Sequence, residues 1–264
     1  MLKSNLLKKI LVTAAFTVAL PVAAQIDTTW DLDNGAKNTN SSLFDSLSIS
    51  DVLNGNNLTI TGWSNTGNGN TIEAGKLKYS NSYGLMLKNN NEGDTTPDHS
   101  IDSFNTYFDM VLLTFTKEVD LTRFDLGWAR ESSNLSRADI SVAAFTGNGN
   151  AGIAGNTWGG VANSGNWSTV GHYLDVNSYS YQGVTSDVKS KYWLIGAYNP
   201  TFFNAGEVTG TYASANNDGF KLASVQGVTS STKPPGGDIP EPSSIAILGL
   251  GMFALFFSRR RQQG

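Results

Sequence analysis

Apolar and polar residues alternate in short runs along the middle of this chain, and clusters of Asn, Gly, Ser and Asp separate the runs. In residues 121–128, Phe124, Leu126 and Trp128 share one face of an extended strand, with charged residues on the other. A period of two residues is typical of a strand with one buried face. Because no long period of 3.6 residues competes with this pattern, the middle of the chain is predicted to be built of strands.

Seven further runs have the same character: 58–63, 76–87 with a break at 80–82, 108–115, 140–144, 167–174, 192–198 and 219–228. Together they predict an all-β fold. The arrangement that we expect is an antiparallel β sandwich of jelly-roll type, with Trp, Phe, Leu and Ile from two sheets in one core. Trp128 and Trp193 lie in strand patterns and are predicted to be core residues.

The string TGNGN occurs twice, at 66–70 and 146–150, each time after a run that ends in an aromatic residue. Because Gly and Asn both tolerate positive φ, we interpret both copies as turns. A duplicated structural unit is the alternative, but no other similarity surrounds the two copies.

The first 24 residues have the layout of a secretory signal peptide. Lys3, Lys8 and Lys9 precede an apolar run at 10–20, and small residues follow up to Ala24. A membrane-spanning helix needs about 20 apolar residues, so an uncleaved anchor fits less well than a signal removed by signal peptidase after Ala24. The sequence therefore predicts export through the secretory translocon.

The other end of the chain has an apolar segment, 245–257, followed by Arg259, Arg260 and Arg261. Its 13 residues span about 20 Å as a helix, and snorkelling arginines bring it close to the minimum for a short transmembrane helix. The arginine cluster predicts a cytoplasmic end, which leaves the domain outside. A buried C-terminal element is the alternative, but three consecutive arginines fit poorly in a core.

A Ser-, Pro- and Gly-rich linker at 230–239 is predicted to join a domain of 25–229 to this tail. Directly after it, Pro240 and Pro242 flank Glu241, and the two prolines favour an extended backbone. The Pro-Glu-Pro sequence, a Gly-containing apolar helix and terminal arginines follow one another through 240–264. In this order they resemble the PEP-CTERM sorting signal.

That resemblance implies an exosortase as a partner, with Pro240, Glu241 and Pro242 as the recognition and processing motif and the arginine cluster as a membrane stop. It also implies a protein of a Gram-negative bacterium that is exported and held transiently in the inner membrane. Its destination would be the cell surface or the extracellular matrix. A permanent single-pass anchor is the alternative, and it predicts that the tail stays attached.

Stretches of the middle are similar to a family of exosortase-dependent surface proteins that carry such tails. They include LTITGWSNTGNGN, DISVAAFTGNG, YWLIGAYN and DGFKLASVQG, and the similarity covers most of 58–228. That family offers no activity to carry over. The resemblance therefore supports the architecture and the destination only.

Charge and residue usage exclude several classes of function. The formal net charge is −4, but three lysines of the signal peptide and three arginines of the tail stand apart from any acid, so the middle carries −10. Such a domain repels nucleic acid. The chain has no cysteine, which excludes thiol nucleophiles and iron–sulfur clusters, and no cofactor is expected.

No catalytic motif stands out in the sequence, and we expect that the protein is not an enzyme. Residues 97–100, Pro-Asp-His-Ser, hold three residue types used in nucleophilic catalysis. Successive side chains of an extended segment point in opposite directions, however, so adjacency does not make a triad. HExxH, P-loop and GxSxG motifs do not occur.

Asp94, Asp98 and Asp102 are weak candidates for calcium ligands, because hard oxygen ligands in a loop-rich region suit that ion. The segment 31–35 resembles the start of an EF-hand loop, but the twelfth position is Ser42 instead of Glu. In so acidic a domain, solvated loops are the simpler interpretation. No metal site is predicted.

Two classes of function remain. The first is a non-enzymatic surface or matrix protein, associated with exopolysaccharide or biofilm. The second is a carbohydrate-binding module of the cell surface, in which Trp158 and Trp167 are exposed within the Gly- and Asn-rich stretch 155–167 and stack on sugar rings. Affinity for a polysaccharide separates the two classes.

Overall fold

The computed structural model describes residues 25–32, 43–91, 99–132, 136–202 and 217–230, which belong to a compact unit of Gln25–Ser231. The predicted signal peptide and tail lie outside the described residues, as does the predicted linker beyond Ser230. Among the residues described, no helix combines the length and the apolar character needed to cross a membrane.

Antiparallel strands make up most of the described chain. They are β1 (Gln25–Asp31), β2 (Ser46–Ile49), β3 (Leu58–Ser64), β4 (Glu73–Ser80), β5 (Gly84–Lys88), β6 (Ile101–Asp102), β7 (Asp109–Glu131), β8 (Arg137–Phe145), β9 (Trp167–Asn177), β10 (Ser180–Gly183), β11 (Ser190–Ala197) and β12 (Asp218–Ser230). One short helix, α1 (Trp158–Ala162), and two 3-10 turns, Phe104–Thr106 and Pro200–Phe202, complete the described elements. The all-β prediction is confirmed, and each predicted run overlaps a strand, with 76–87 divided between β4 and β5.

β7 is one strand of 23 residues where the alternation predicted two. Residues 116–120 contain no Gly, Pro or Asn to interrupt the strand, and Val119 within them is buried. The first half of β7 pairs with β3 and β11, and the second half pairs with β12 and β10. β7 therefore runs through both sheets of the fold.

We call these sheets A and B. Sheet A contains β1, β12, β5, β6, β10 and the second half of β7, and sheet B contains β2, β3, β11, β8, β9 and the first half. β4 pairs with β3 and with β5, so it joins the sheets a second time. β5 also pairs with β12, and β12 pairs with β7. The paired strands of the two sheets are therefore connected in a closed ring. A jelly-roll sandwich stays a prediction.

β12 pairs with four strands of sheet A, namely β1, β5, β6 and β7. Its pairing with β1 runs from Gln25 opposite Ser230 to Asp31 opposite Ser224. The two ends of the described chain are therefore adjacent in one sheet.

The larger cluster of buried apolar side chains draws on both sheets. Ile60 and Trp193 come from sheet B, whereas Phe124 and Phe220 come from sheet A, and all four are fully buried. The prediction that Trp193 is a core residue is confirmed. Burial of large apolar side chains of this kind contributes about 1.5–3 kcal/mol each.

A second apolar cluster lies on the other face of sheet B. Met110, Leu112 and Leu194 belong to it, although their chain neighbours belong to the first cluster. This face is covered by Trp158 and Val161 of α1 and by Ile153 and Phe202. With both faces buried, these strands have continuous apolar sequences such as MVLL and WLI instead of strict alternation.

Trp128 is not in the core, and the prediction that placed it there is wrong. Trp128 lies opposite Lys221 while Leu126 lies opposite Leu222, so Gly127 is an extra residue in β7, a β-bulge. Beyond the bulge the alternation is inverted: Leu126 and Ala129 are buried and Trp128 is half-buried on the outer face.

Both TGNGN strings lie in turns, which confirms their interpretation from sequence. Positive φ angles occur at Gly69 (70°), Asn70 (60°) and Gly149 (92°). These are the residue types that adopt such angles at least cost.

The bulge at Gly127 yields a test of the fold. A Cβ atom at this position would lie 2.3 Å from the backbone oxygen of Tyr83, so Gly127→Ala forces two backbone segments apart. We expect a loss of about 1–3 kcal/mol in the free energy of unfolding, measured by chemical denaturation of the purified protein. The control is Gly183→Ala, where a Cβ meets nothing within 4 Å; an equal loss in both variants would contradict the close approach.

Candidate functional site

Four aromatic side chains lie together on the outer face of sheet A, and we call them the aromatic surface: Tyr83, Trp128, Tyr179 and Tyr181. The exposed fractions are 36% for Tyr83, 72% for Tyr179 and 65% for Tyr181. The large hydrophobic side chains exposed elsewhere in the described chain are Leu43, Val52 and Leu53. Half of such side chains therefore belong to this one surface.

Turns and the bulge bring these residues together from distant parts of the sequence. Tyr83 lies in the turn between β4 and β5, directly above the backbone of Gly127. Tyr179 lies in the turn between β9 and β10, and its N–H donates to the Leu126 carbonyl at 2.7 Å. Tyr181 on β10 lies opposite Asp125 on β7. The rings of Tyr83 and Tyr179 are 6.4 Å apart.

Two cations lie on the faces of these rings. The guanidinium carbon of Arg123 is 4.1 Å from the centre of the Tyr181 ring. The Lys221 ammonium is 5.1 Å from the ring centres of both Tyr83 and Trp128. Arg123 also donates to both carboxylate oxygens of Asp125, at 3.0 and 3.2 Å. The rings of Tyr83, Trp128 and Tyr181 are thus held by cation–π contacts, and the charge of Arg123 is balanced by Asp125.

Tyr179 adopts a backbone conformation that is unusual for a bulky residue. Its φ angle is +55°, in the left-handed region that favours Gly or Asn. Such a conformation costs about 1–3 kcal/mol. Since the side chain is exposed, no gain from core packing offsets this cost.

Trp158 and Trp167 are not exposed, and the prediction that they present a stacking surface is wrong in this respect. Their exposed fractions are 3% and 8%. Trp158 donates its ring N–H to the Phe108 carbonyl at 2.9 Å, and Trp167 packs edge-on against Phe145 at 5.4 Å. Both belong to the second apolar cluster, which the surrounding Gly and Asn residues did not indicate.

A polar cleft of about 530 Å³ lies beside the second TGNGN turn. Residues 146–150 form one side, and Glu118, Lys189 and Lys191 provide charged groups. The Tyr192 hydroxyl lies 3.3 Å from the side-chain oxygen of Asn150. No buried charged group points into this cleft from the residues that line it.

A serine and a histidine lie within hydrogen-bond distance in the interior. The hydroxyl of Ser141 is 2.9 Å from Nδ1 of His172, and it also accepts the N–H of Asn199 at 2.9 Å. Both residues are almost fully buried, and burial lowers the pKa of His172. The pair links β8, β9 and the segment after β11, and it does not meet the surface as a nucleophile requires.

Two buried carboxyl groups join β8, β9 and β12. Asp218 accepts the backbone N–H of Asp139 at 2.8 Å, and Asp139 accepts the backbone N–H of Asp175 at 2.8 Å. Burial raises the pKa of Asp218 to about 8 and the pKa of Asp139 to about 6, and neighbouring carboxylates add to the rise. Removal from water disfavours the charged form of a carboxyl group.

The candidate calcium ligands do not form a site in the described residues. Asp102 is buried and accepts hydrogen bonds from the Ser100 hydroxyl at 2.7 Å and the Phe104 N–H at 3.2 Å. Asp94 and Asp98 lie outside the described residues. Within the part of the chain that is described, no group of three or more His, Asp or Glu residues could hold a metal ion.

Comparison with protein-family models finds one match, at residues 238–261, to the model described as the PEP-CTERM protein-sorting motif. The chain carries a PEP-CTERM sorting motif. Such a motif implies export and transient sorting at the membrane by an exosortase, as in Gram-negative bacteria. No curated protein matches the chain.

The match contains the predicted processing residues Pro240, Glu241 and Pro242 and the cluster Arg259, Arg260 and Arg261. The PEP-CTERM motif lies outside the residues that the structure describes. The roles of its individual residues therefore stay predictions.

The buried carboxyl pair predicts how the stability of the folded unit depends on pH. The pKa of Asp218 is about 8 in the folded state and 3.8 in its unperturbed state, so the folded state binds the proton more tightly. The contribution of Asp218 to the free energy of unfolding should therefore be largest below about pH 4 and be lost as the pH rises to about 8. In Asp218→Asn, the side chain still has an oxygen that can accept the Asp139 N–H, but it cannot ionise.

We expect Asp218→Asn to flatten the dependence of Tm on pH between 5 and 8, measured by differential scanning fluorimetry. The control is Asp187→Asn, which removes an exposed carboxyl group and should leave the wild-type slope in place. A slope that is unchanged in Asp218→Asn would show that this carboxyl is charged when buried.

Proposed function

We propose that this protein is a non-enzymatic component of the cell surface or extracellular matrix, associated with exopolysaccharide or biofilm. A signal peptide at 1–24 directs it through the translocon, and the tail holds it in the inner membrane until an exosortase processes it. The match of residues 238–261 to the sorting motif supports this route. Gln25 pairs with Ser230 in sheet A, so the residues that adjoin the two signals in sequence are neighbours within the folded unit.

The described interior supports a role without catalysis. The Ser141–His172 pair is buried, and the Ser141 hydroxyl already accepts an N–H. The carboxyls of Asp139 and Asp218 accept backbone N–H groups that connect strands. These polar groups have structural partners on neighbouring strands, and a substrate would have to open the core to reach them.

A carbohydrate-binding module of the cell surface is the second candidate. The aromatic surface favours it, because tyrosine rings present an apolar face with a polar edge, which suits sugar rings. The exposed residues Tyr83, Tyr179 and Tyr181 would carry this function. Trp158 and Trp167 are buried and pack within the domain. A jelly-roll sandwich, which we propose as the arrangement of sheets A and B, commonly presents such surfaces.

Substitution of the sorting motif tests the first function. We expect the wild type to reach the surface or matrix fraction of the native host without its tail. The variant Pro240→Ala/Glu241→Gln/Pro242→Ala should remain full-length in the inner membrane, because it lacks the extended backbone and the charge proposed for exosortase recognition. Fractionation followed by mass spectrometry of the C-terminal peptide measures both properties.

Two comparisons complete this test. The free energy of unfolding of the domain should change by less than about 0.5 kcal/mol in the triple variant, as for surface substitutions in general. Ser243→Ala, next to the motif, is the matched control and should be processed like the wild type. If the variant is trimmed and released like the wild type, processing does not depend on these three residues. If wild type keeps its tail in the inner membrane, a permanent anchor is the better description.

A further inference from the structure

We propose that the aromatic surface is a binding site for an uncharged polysaccharide, with sugar rings stacked on Tyr83, Tyr179 and Tyr181. This inference rests on the second of the two functions proposed above. It places the site on sheet A, at residues that the sequence did not single out.

The exposure of the rings makes them available to a ligand. Tyr179 and Tyr181 are about two-thirds exposed or more, and the Tyr83 ring lies 6.4 Å from that of Tyr179. Trp128 extends the surface on the far side of Lys221. Because the surface presents several separate rings, two of them 6.4 Å apart, it suits a chain of several sugars better than a free monosaccharide.

Contacts around the rings prepare them for binding. Arg123 lies on the Tyr181 ring, and Lys221 lies between Tyr83 and Trp128. Tyr83 is also held by the approach of its backbone to Gly127. Because side chains that are already fixed lose less freedom when a ligand binds, this arrangement lowers the entropic cost of association.

The backbone at Tyr179 is a separate indication of function. A residue at φ +55° would be Gly or Asn if only the turn mattered. The Tyr179 ring is 72% exposed, so the hydrophobic core does not need it. Backbone strain of this kind clusters at functional sites, so it supports the assignment of Tyr179 to the binding surface.

The charges favour an uncharged glycan over other occupants. Arg123 is balanced by Asp125, and the middle of the chain carries −10, which repels acidic polymers and anionic lipid. The exposed aliphatic residues Val52 and Leu53 lie in a different loop, between β2 and β3. The surface therefore lacks the aliphatic side chains that would complete an apolar protein contact.

Affinity electrophoresis of the purified full-length chain tests the proposal. The detergent should be of the polyoxyethylene type, since glycosidic detergents would compete for the rings. Native gels contain hydroxyethylcellulose, dextran, galactomannan or, as the acidic comparison, alginate. We expect at least one neutral polysaccharide to retard the protein, with little effect of added salt.

The decisive variant is Tyr179→Gly, which removes the ring and relieves the backbone strain. It should weaken retardation by about two- to twelvefold, the effect of one stacked ring, while Tm stays equal or rises. Tyr181→Ala and Tyr83→Ala should each weaken it similarly. Since none of these changes alters charge, mobility in a gel without polysaccharide serves as an internal reference.

Two control variants probe positions of the same kind outside the surface. Asn70→Gly relieves a positive φ angle of 60° in an exposed turn, and Leu53→Ala removes a side chain that is 93% exposed. Both should keep wild-type retardation. The proposal would be overturned if no neutral polysaccharide retarded the protein, or if alginate alone did. It would also be overturned if wild type and Tyr179→Gly were retarded equally. So would self-association that the tyrosine substitutions abolish, because the surface would then be a contact between copies.

Discussion

The pairing of one strand with both sheets is the constraint on which the rest of this structure depends. β7 contributes its first half to sheet B and its second half to sheet A, and it runs without a break through residues 109–131. The same strand supplies Leu113 and Phe124 to the shared core, Leu112 to the second cluster and Trp128 to the outer face. A change in its register would therefore disturb the core and the aromatic surface together, because the side chains of a strand alternate between its faces.

The bulge at Gly127 connects this strand to the candidate binding surface. An extra residue in β7 rotates Trp128 out of the core, and the missing side chain at Gly127 lets the Tyr83 turn approach. Tyr179 is fixed against the same stretch by its hydrogen bond to Leu126. One local irregularity thus brings Tyr83 and Tyr179, which are 96 positions apart in the sequence, together beside Trp128.

Hydrophobic alternation predicted the strands well where one face meets the core, as in β3 and β12, because burial of one face imposes a period of two. It did not predict the placement of Trp128, since a bulge inverts the alternation without changing composition. Trp158 and Trp167 were predicted to be exposed from their Gly- and Asn-rich surroundings, but the outer face of sheet B needed apolar cover. The runs MVLL and WLI carried that signal, because strands buried on both faces do not alternate. The aromatic surface depends on contacts between turns, which no local pattern reveals, whereas the sorting motif is a linear signal and was found from sequence alone.

The place of β12 in sheet A bears on how an exported chain of this kind reaches its folded form. β12 is the last strand described, yet it pairs with β1, β5, β6 and β7. During synthesis, β1, β5, β6 and β7 cannot pair with β12 until the segment Asp218–Ser230 has emerged. Contacts between residues so distant in sequence form slowly. The sheet can be completed only when this last strand is present, so β1, β5, β6 and β7 obtain the partner that they share late in folding.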